Sequence, residues 1–267
     1  MGINRREFLR IAGISTILGL GGKTAFELLA PGELEASLKE VPLTAGNKWG
    51  MVVDMTKVDE EIMGKSMDAC HRTHNVPNFK DPKVEVKWIW KETYGHTFPG
   101  QHHEYVAEKY EGREFLLLCN HCTNPPCCRV CPTKATWKRE EDGIVMMDQH
   151  RCIGCRFCMA ACPFGVRSFN WGDPRKAPKS LNPDFPTNPE YPTRTKGVVE
   201  KCNFCAERLA KGLIPACVEA ANKIKVGALT FGDLEERHSK VRKLLREHYT
   251  IRRKPELGTG PNVYYIV

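Results

Sequence analysis

The chain of 267 residues offers no uninterrupted run of about 18 apolar residues, which excludes a comfortable transmembrane helix and predicts a water-soluble mature protein. It carries no C-x-x-C-H motif, so it does not attach c-type haem itself. It has no Walker loop and no dinucleotide fingerprint, which removes two large classes of enzyme. No cluster of candidate nucleophile, acid and base stands out either. His102, His103, His121 and His150 are isolated and read as surface or satisfied core residues rather than catalysts.

What the chain does have is cysteine. Thirteen cysteines are too sparse for a small disulfide scaffold and too many for an ordinary enzyme, so their chemistry needs an explanation. Apolar residues make up 41% of the chain, enough for a core in one large domain or two small ones. The formal charge is +8, which elsewhere would suggest a nucleic-acid or acidic-membrane partner.

The order of the chain is punctuated. Arg5 and Arg6 precede a short, moderately apolar stretch from Ile11 to Leu20 that contains Gly, Ser and Thr. This reads as a twin-arginine export signal over residues 1–36, with an amphipathic first helix as the alternative. No clean A-x-A site follows, although Ala36 is small, so cleavage and retention as an anchor both stay open. That route carries folded proteins, and an oxidising exterior would convert unligated thiols to disulfides; cofactors would therefore be inserted before export.

Residues 37–48 read as a polar linker and Trp49 to Asp54 as a first strand. Val84, Val86, Trp88 and Trp90 alternate and predict a half-buried strand, with the tryptophans as core or shielding residues. Residues 115–137 and 144–171 repeat one order: apolar strand, cysteine run, Cys-Pro, second apolar segment. Six prolines make 173–197 a surface connector. Asp233 is expected to start a helix with Glu236 as its capping partner and Leu234, Val241, Leu244 and Leu245 on its inner face. The outer face, including Arg242, Lys243 and Arg246, is basic.

The cysteine spacing carries the chemistry. Cys152-x2-Cys155-x2-Cys158-x3-Cys162-Pro163 matches the bacterial 4Fe-4S ferredoxin pattern at every step. Three close thiolates on one loop reach three irons of a cube, and the fourth, held in the following short helix, ligates the neighbouring cube. Zinc takes four ligands, usually as two separated pairs, and does not use this spacing. Cys119-x2-Cys122-x4-Cys127-x3-Cys131-Pro132 has the same grammar with a longer step. The exchange rule gives cluster 1 to Cys119, Cys122, Cys127 and Cys162, and cluster 2 to Cys152, Cys155, Cys158 and Cys131. Cys128 is left over as a packed thiol.

Cys202-x2-Cys205-x11-Cys217, with Cys70 far upstream, supplies the ligands of one more cube. Zinc at these four residues, or an unknown fourth ligand beside a lone core Cys70, stays open on spacing alone. Three clusters, each about 2− when oxidised, would bring the net charge near +2, so the basic excess offsets metal centres and no nucleic-acid partner is implied. Arg156, Arg167, Lys134 and Lys201 lie near ligands in sequence; favouring the reduced state and plain surface solvation are both open for them.

Asn120-His121-Cys122, Cys152 to Cys158 and Val199-Glu200-Lys201-Cys202-Asn203-Phe204-Cys205 resemble the polyferredoxin subunits (DmsB/NrfC-like) that accompany molybdopterin enzymes and NrfD-type membrane subunits. The resemblance covers about residues 48–235 and implies an α+β fold of tandem ferredoxin-like modules with long loops, then a C-terminal helix and tail over 236–267. A typical member has four clusters. Here the first cysteine group is degenerate at Glu60, Met63 and Ser66, and its remote partner is Ala221. These positions together make one cluster, so the resemblance implies the loss of a whole site and leaves Cys70, Cys202, Cys205 and Cys217 as the third.

The signal, the degenerate first group, Trp88-Ile89-Trp90 and the ending Pro261 to Tyr265 are most similar to the extracytoplasmic iron-sulfur subunits of Dsr complexes. That implies a periplasmic electron-transfer subunit without a substrate site of its own, peripherally bound to a membrane complex. Its implied partners are an NrfD-type quinone-interacting membrane subunit, a multihaem cytochrome c and the twin-arginine export machinery.

Overall fold

The computed structural model describes residues 48–79, 81–174, 188–192 and 194–267. The export segment 1–36 and most of the proline-rich connector lie outside the described residues.

The run from Trp49 forms strand β1 (Trp49–Asp54), buried at all six positions. A turn leads to α1 (Glu60–His74), whose start and stop are written locally. Asp59 caps it by accepting from the Ile62 N–H at 2.9 Å, Glu60 and Glu61 sit at the positive end of the dipole, and His71, Arg72 and His74 at the negative end. Asn75 ends the helix in the left-handed conformation at φ 51°.

Strands β2 (Ile89–Thr93) and β3 (Glu114–Leu118) pair antiparallel with Ile89 opposite Leu118, and the short helix α2 (Tyr94–Thr97) follows β2. The expected strand over 84–90 is corrected here. Ladder pairing begins only at Ile89, and Trp88, Ile89 and Trp90 are all buried because this segment is covered on both faces.

The internal repeat is visible as strand, loop, single helical turn and strand. After β3 come α3 (Pro126–Arg129) and β4 (Thr136–Lys138); after β5 (Val145–Met147) come α4 (Phe157–Ala160) and β6 (Ser168–Phe169). Strand β7 (Val199–Glu200) opens a third copy with α5 (Ala206–Leu209). Each strand pairs with a sequence neighbour, β4 with β5 and β6 with β7, so every loop is pinned at both ends.

Helix α6 (Ala216–Ile224) buries Ala216, Cys217, Val218 and Ala221 and packs on α1. Then β8 (Leu229–Asp233), α7 (Lys240–Glu247), β9 (Thr250–Ile251) and β10 (Val263–Ile266) complete a sheet of order β8-β1-β10-β9. β10 runs parallel to β1, with Met51 beside Val263. The segment after the C-terminal helix therefore supplies an inner strand rather than a loose tail.

The helix expected from Asp233 starts later. Asp233 ends β8, and Ser239 caps α7 through its hydroxyl, which accepts from the Arg242 N–H at 3.2 Å. The inner face is as expected: Leu234 and Val241 are buried with Val52 and Ile266, and Leu244 and Leu245 pack against them. Gly50 permits this contact, since a Cβ there would stand 2.7 Å from Leu234. On the opposite face Phe98, Phe115 and Tyr265 form edge-to-face pairs at 5.3–6.0 Å, each adding about 0.5–1.5 kcal/mol beyond area burial.

Candidate metal centre

Each loop of the repeat is shaped to aim its cysteines. Cys119 leaves the end of β3, His121 takes φ 41° so that the chain turns back at Cys122, and Pro126 at the first turn of α3 presents Cys127. In the next copy Gly154 at φ +73° and Arg156 at φ 62° bend the loop between Cys152 and Cys158. Gly154 is required there: a Cβ would lie 2.3 Å from the Gly197 carbonyl oxygen. Phe204 and Cys205, at φ 55° and 54°, make the equivalent bend after β7.

Cys119, Cys122, Cys127 and Cys162 line one cavity of about 310 Å³ together with Asn120 and Arg167. Cys70, Cys202, Cys205 and Cys217 are all buried in a second group, close enough that Cys202, Cys205 and Cys217 each push the Cys70 thiol further up than burial alone does. Packing of α1 on α6 brings Cys70 there, with the Ser66 hydroxyl donating to the Cys217 carbonyl at 3.3 Å. In the third group Cys158 lies beside Cys152, Cys131 is half-buried and Cys155 is exposed. The groups adjoin, since Cys202 feels Cys119 and Cys158 feels Cys127.

The donor set fits iron-sulfur clusters. Burial pushes the Cys122 thiol up to about 12 and Cys217 to about 11, a cost that a metal bound to thiolate relieves. Backbone N–H groups already point at sulfur: Phe204 to Cys202 at 3.4 Å, Ala216 to Cys205 at 3.4 Å and Val199 to Cys152 at 3.5 Å. Burial raises Cys131, yet the Thr136, Ala135 and Thr133 N–H groups with the Thr133 hydroxyl outweigh it and leave the thiol lowered. The buried Asn120 amide has neither polar atom partnered, and it lines the cavity of the first group, where cluster sulfur is an acceptor.

Cys128 hydrogen-bonds Cys127, which lowers Cys127 and raises Cys128. Cys127 is thus the thiolate of the pair and Cys128 the neutral donor. A Cys128→Ser protein should retain all its iron, measured against the unsubstituted protein; loss of a cluster would overturn this division of roles.

The degenerate positions have become helix. Met63 and Ser66 are buried on α1 and Ala221 on α6, while Glu60 is exposed at the start of α1. A continuous capped helix occupies the place where a cysteine loop would run.

Of the candidate cations, Lys134 and Arg156 are exposed, whereas Arg167 and Lys201 are buried. Arg156 stands 4.9 Å from the Trp171 ring. His102, His103 and His150 are exposed. His121 is buried, stacked on Phe204 at 3.7 Å, and burial holds it well below its usual range, so it is neutral and accepts the Val145 N–H at 3.1 Å.

Sequence reasoning missed His74 and Glu207, whose ligand atoms lie within 4.8 Å of each other and of Cys205. His74 faces the Cys70 carbonyl at 2.9 Å and Glu207 at 2.7 Å, and it stacks on Trp88 at 4.4 Å. Its position four residues after Cys70 on a helix was the available signal. It missed Arg194 as well, which meets Glu200 at 2.7 Å with both side chains sealed from solvent.

The family model for a 4Fe-4S dicluster domain matches residues 114–180. The chain is 38% identical to the Hdr-like menaquinol oxidoreductase iron-sulfur subunit 1 of Archaeoglobus fulgidus, over 98% of this chain and 97% of that protein. It is 35% identical to the menaquinone reductase iron-sulfur cluster-binding subunit of Nitratidesulfovibrio vulgaris, over 82% and 88%. A protein NrfC homolog of Haemophilus influenzae is 34% identical over 92% of each chain. With its paired strand-and-loop repeats and matched 4Fe-4S dicluster region, this chain belongs to the family of iron-sulfur electron-transfer subunits of oxidoreductase complexes.

Proposed function

We propose that the chain holds three 4Fe-4S clusters in tandem ferredoxin-like modules over 48–235 and relays electrons along them within an extracytoplasmic respiratory complex. Cluster 1 takes Cys119, Cys122, Cys127 and Cys162; cluster 2 takes Cys152, Cys155, Cys158 and Cys131; cluster 3 takes Cys70, Cys202, Cys205 and Cys217. The observation that carries this reading is the adjoining of the thiol groups, Cys202 beside Cys119 and Cys127 beside Cys158. That contact order makes cluster 1 the middle of a wire. Bound cubes supply one-electron steps, while the residues place and tune them.

Cys155 is exposed, and Ile153, Phe157 and Trp171 form apolar surface around it at 67%, 59% and 46% exposure. Such a patch supports electron exchange with a docked protein at cluster 2. The menaquinol and menaquinone functions in the names of two relatives support a quinone-linked membrane subunit of NrfD type as a partner. The export signal supports a periplasmic site, peripheral to the membrane; among the described residues no helix is long and apolar enough to cross one. A role in sulfur metabolism, beside a multihaem cytochrome c in a Dsr-type complex, rests on the signal and the Trp88-Ile89-Trp90 and Pro261 to Tyr265 segments. A tetrathionate reductase subunit of Salmonella typhimurium, 41% identical over 56% of this chain, supports a molybdopterin-type complex as the second reading. Neighbouring genes separate the two.

Purified anaerobically, the protein is expected to be brown, with about twelve iron and twelve sulfide per chain. Colourless protein carrying zinc without sulfide would sink the proposal and identify a metal-binding adaptor.

A further inference from the structure

Three cations are buried in this protein without a carboxylate. Arg167, Lys201 and Arg253 expose 4%, 2% and 4% of their surface, and none joins an ion pair among the described residues. Their partners are neutral. Arg167 donates to the Thr136 hydroxyl at 2.7 Å and lies 3.8 Å from the Met147 sulfur, and its Nε has no partner. Lys201 donates to the carbonyls of Val145 and Cys202, the latter at 2.7 Å. Arg253 donates to the Thr97 and Phe164 carbonyls at 3.4 Å and lies over the Phe164 ring at 5.5 Å.

A buried charge without a counter-charge is strongly unfavourable, because carbonyl dipoles replace only part of its hydration. The same protein shows what it does elsewhere: buried Arg194 is given buried Glu200. The three unmatched cations share a location. Arg167, Val145 and Phe164 all line the cavity of Cys119, Cys122, Cys127 and Cys162; Lys201 is bonded to Val145 and Arg253 to Phe164. Lys201 and Arg167 also lower Cys127 after its bond from Cys128. By contrast, the group of Cys70 has Glu207 beside Cys205, and that carboxylate pairs with His74, adding no net positive charge.

We propose that Arg167, Lys201 and Arg253 are the counter-charges of cluster 1 and hold it at a higher reduction potential than cluster 3. They are positioning residues that touch the cluster's surroundings and act through its charge. Adding one electron to a cube surrounded by three cations in a poorly screened interior is favoured over adding it beside a carboxylate. The inference rests on the ligand assignment proposed above.

Redox-poised EPR of the full, cluster-loaded chain tests it, titrating against a chemical reductant. Lys201→Met and Arg253→Met should each lower the one-electron reduction constant of cluster 1 at least tenfold, about 59 mV. Lys201→Arg should keep the potential near that of the unsubstituted chain. Full iron with an unshifted cluster 1 potential in both methionine variants overturns the proposal. So does an equal shift, or equal iron loss, in Lys201→Arg and Lys201→Met, since either marks a packing role. Loss of cluster 1 iron in Lys201→Met with retention in Lys201→Arg supports the counter-charge role. An unsubstituted chain without about twelve iron refutes the ligand assignment itself rather than this inference.

Discussion

Replacing Cys70 with serine is expected to take iron from about twelve to about eight per chain and to remove one component of the reduced-state EPR spectrum. Cys70 sits on α1, with its thiol held among Cys202, Cys205 and Cys217 by the packing of α1 on α6. Serine is close in size, so that packing should survive. A neutral hydroxyl buried at that position is a far poorer iron ligand than thiolate. Cluster 1 and cluster 2 draw no ligand from α1 and should remain. Unchanged iron together with an unchanged spectrum would refute the assignment of Cys70 to cluster 3.

The second large effect concerns stability. The Glu200 carboxylate accepts from Trp88 Nε1 at 2.6 Å and from Arg194 Nε at 2.7 Å, and Asn170 also donates to it. Arg194 in turn donates to the carbonyls of His74 and Asn75. This network ties β7 to the end of α1 beside Cys70, and Glu200 and Arg194 are 1% and 2% exposed. Glu200→Ala strands a buried guanidinium and should cost about 3–5 kcal/mol, read from the denaturant concentration that bleaches half of the visible cluster absorbance. Replacing both partners, Glu200→Leu with Arg194→Met, should restore most of the loss, because no uncompensated charge is left. A double variant as weak as the single one would show that hydrogen-bond geometry, not charge burial, is what matters at this site.

Much of the site was legible because its geometry is local. In Cys152 to Cys162 each ligand lies within a few residues of the next, so spacing, one glycine and one turn of helix fix where the sulfurs point. The repeat was legible for the same reason, and so was the inner face of α7, through Leu234, Val241, Leu244 and Leu245. The start of that helix was misread because Asp233-x2-Glu236 imitates a capping box, whereas β8 needs Asp233 as its last paired residue, opposite Trp49. Strand 84–90 was misread because alternation implies one solvated face, and both faces are covered at Trp88 to Trp90.

The sequence by itself determined the chemistry: which thiols form the local ligand loops, that Cys128 is spare, and that one cysteine group has degenerated. Tertiary structure alone decided what requires distant segments to meet. It set Cys70 against Cys202, closed the sheet with β10 beside β1, and gave Arg194 a carboxylate while giving Arg167, Lys201 and Arg253 none. The physical reason is range. Spacing constrains a chain over the few residues of a loop, whereas the solvation and pairing of a buried charge depend on every segment packed around it.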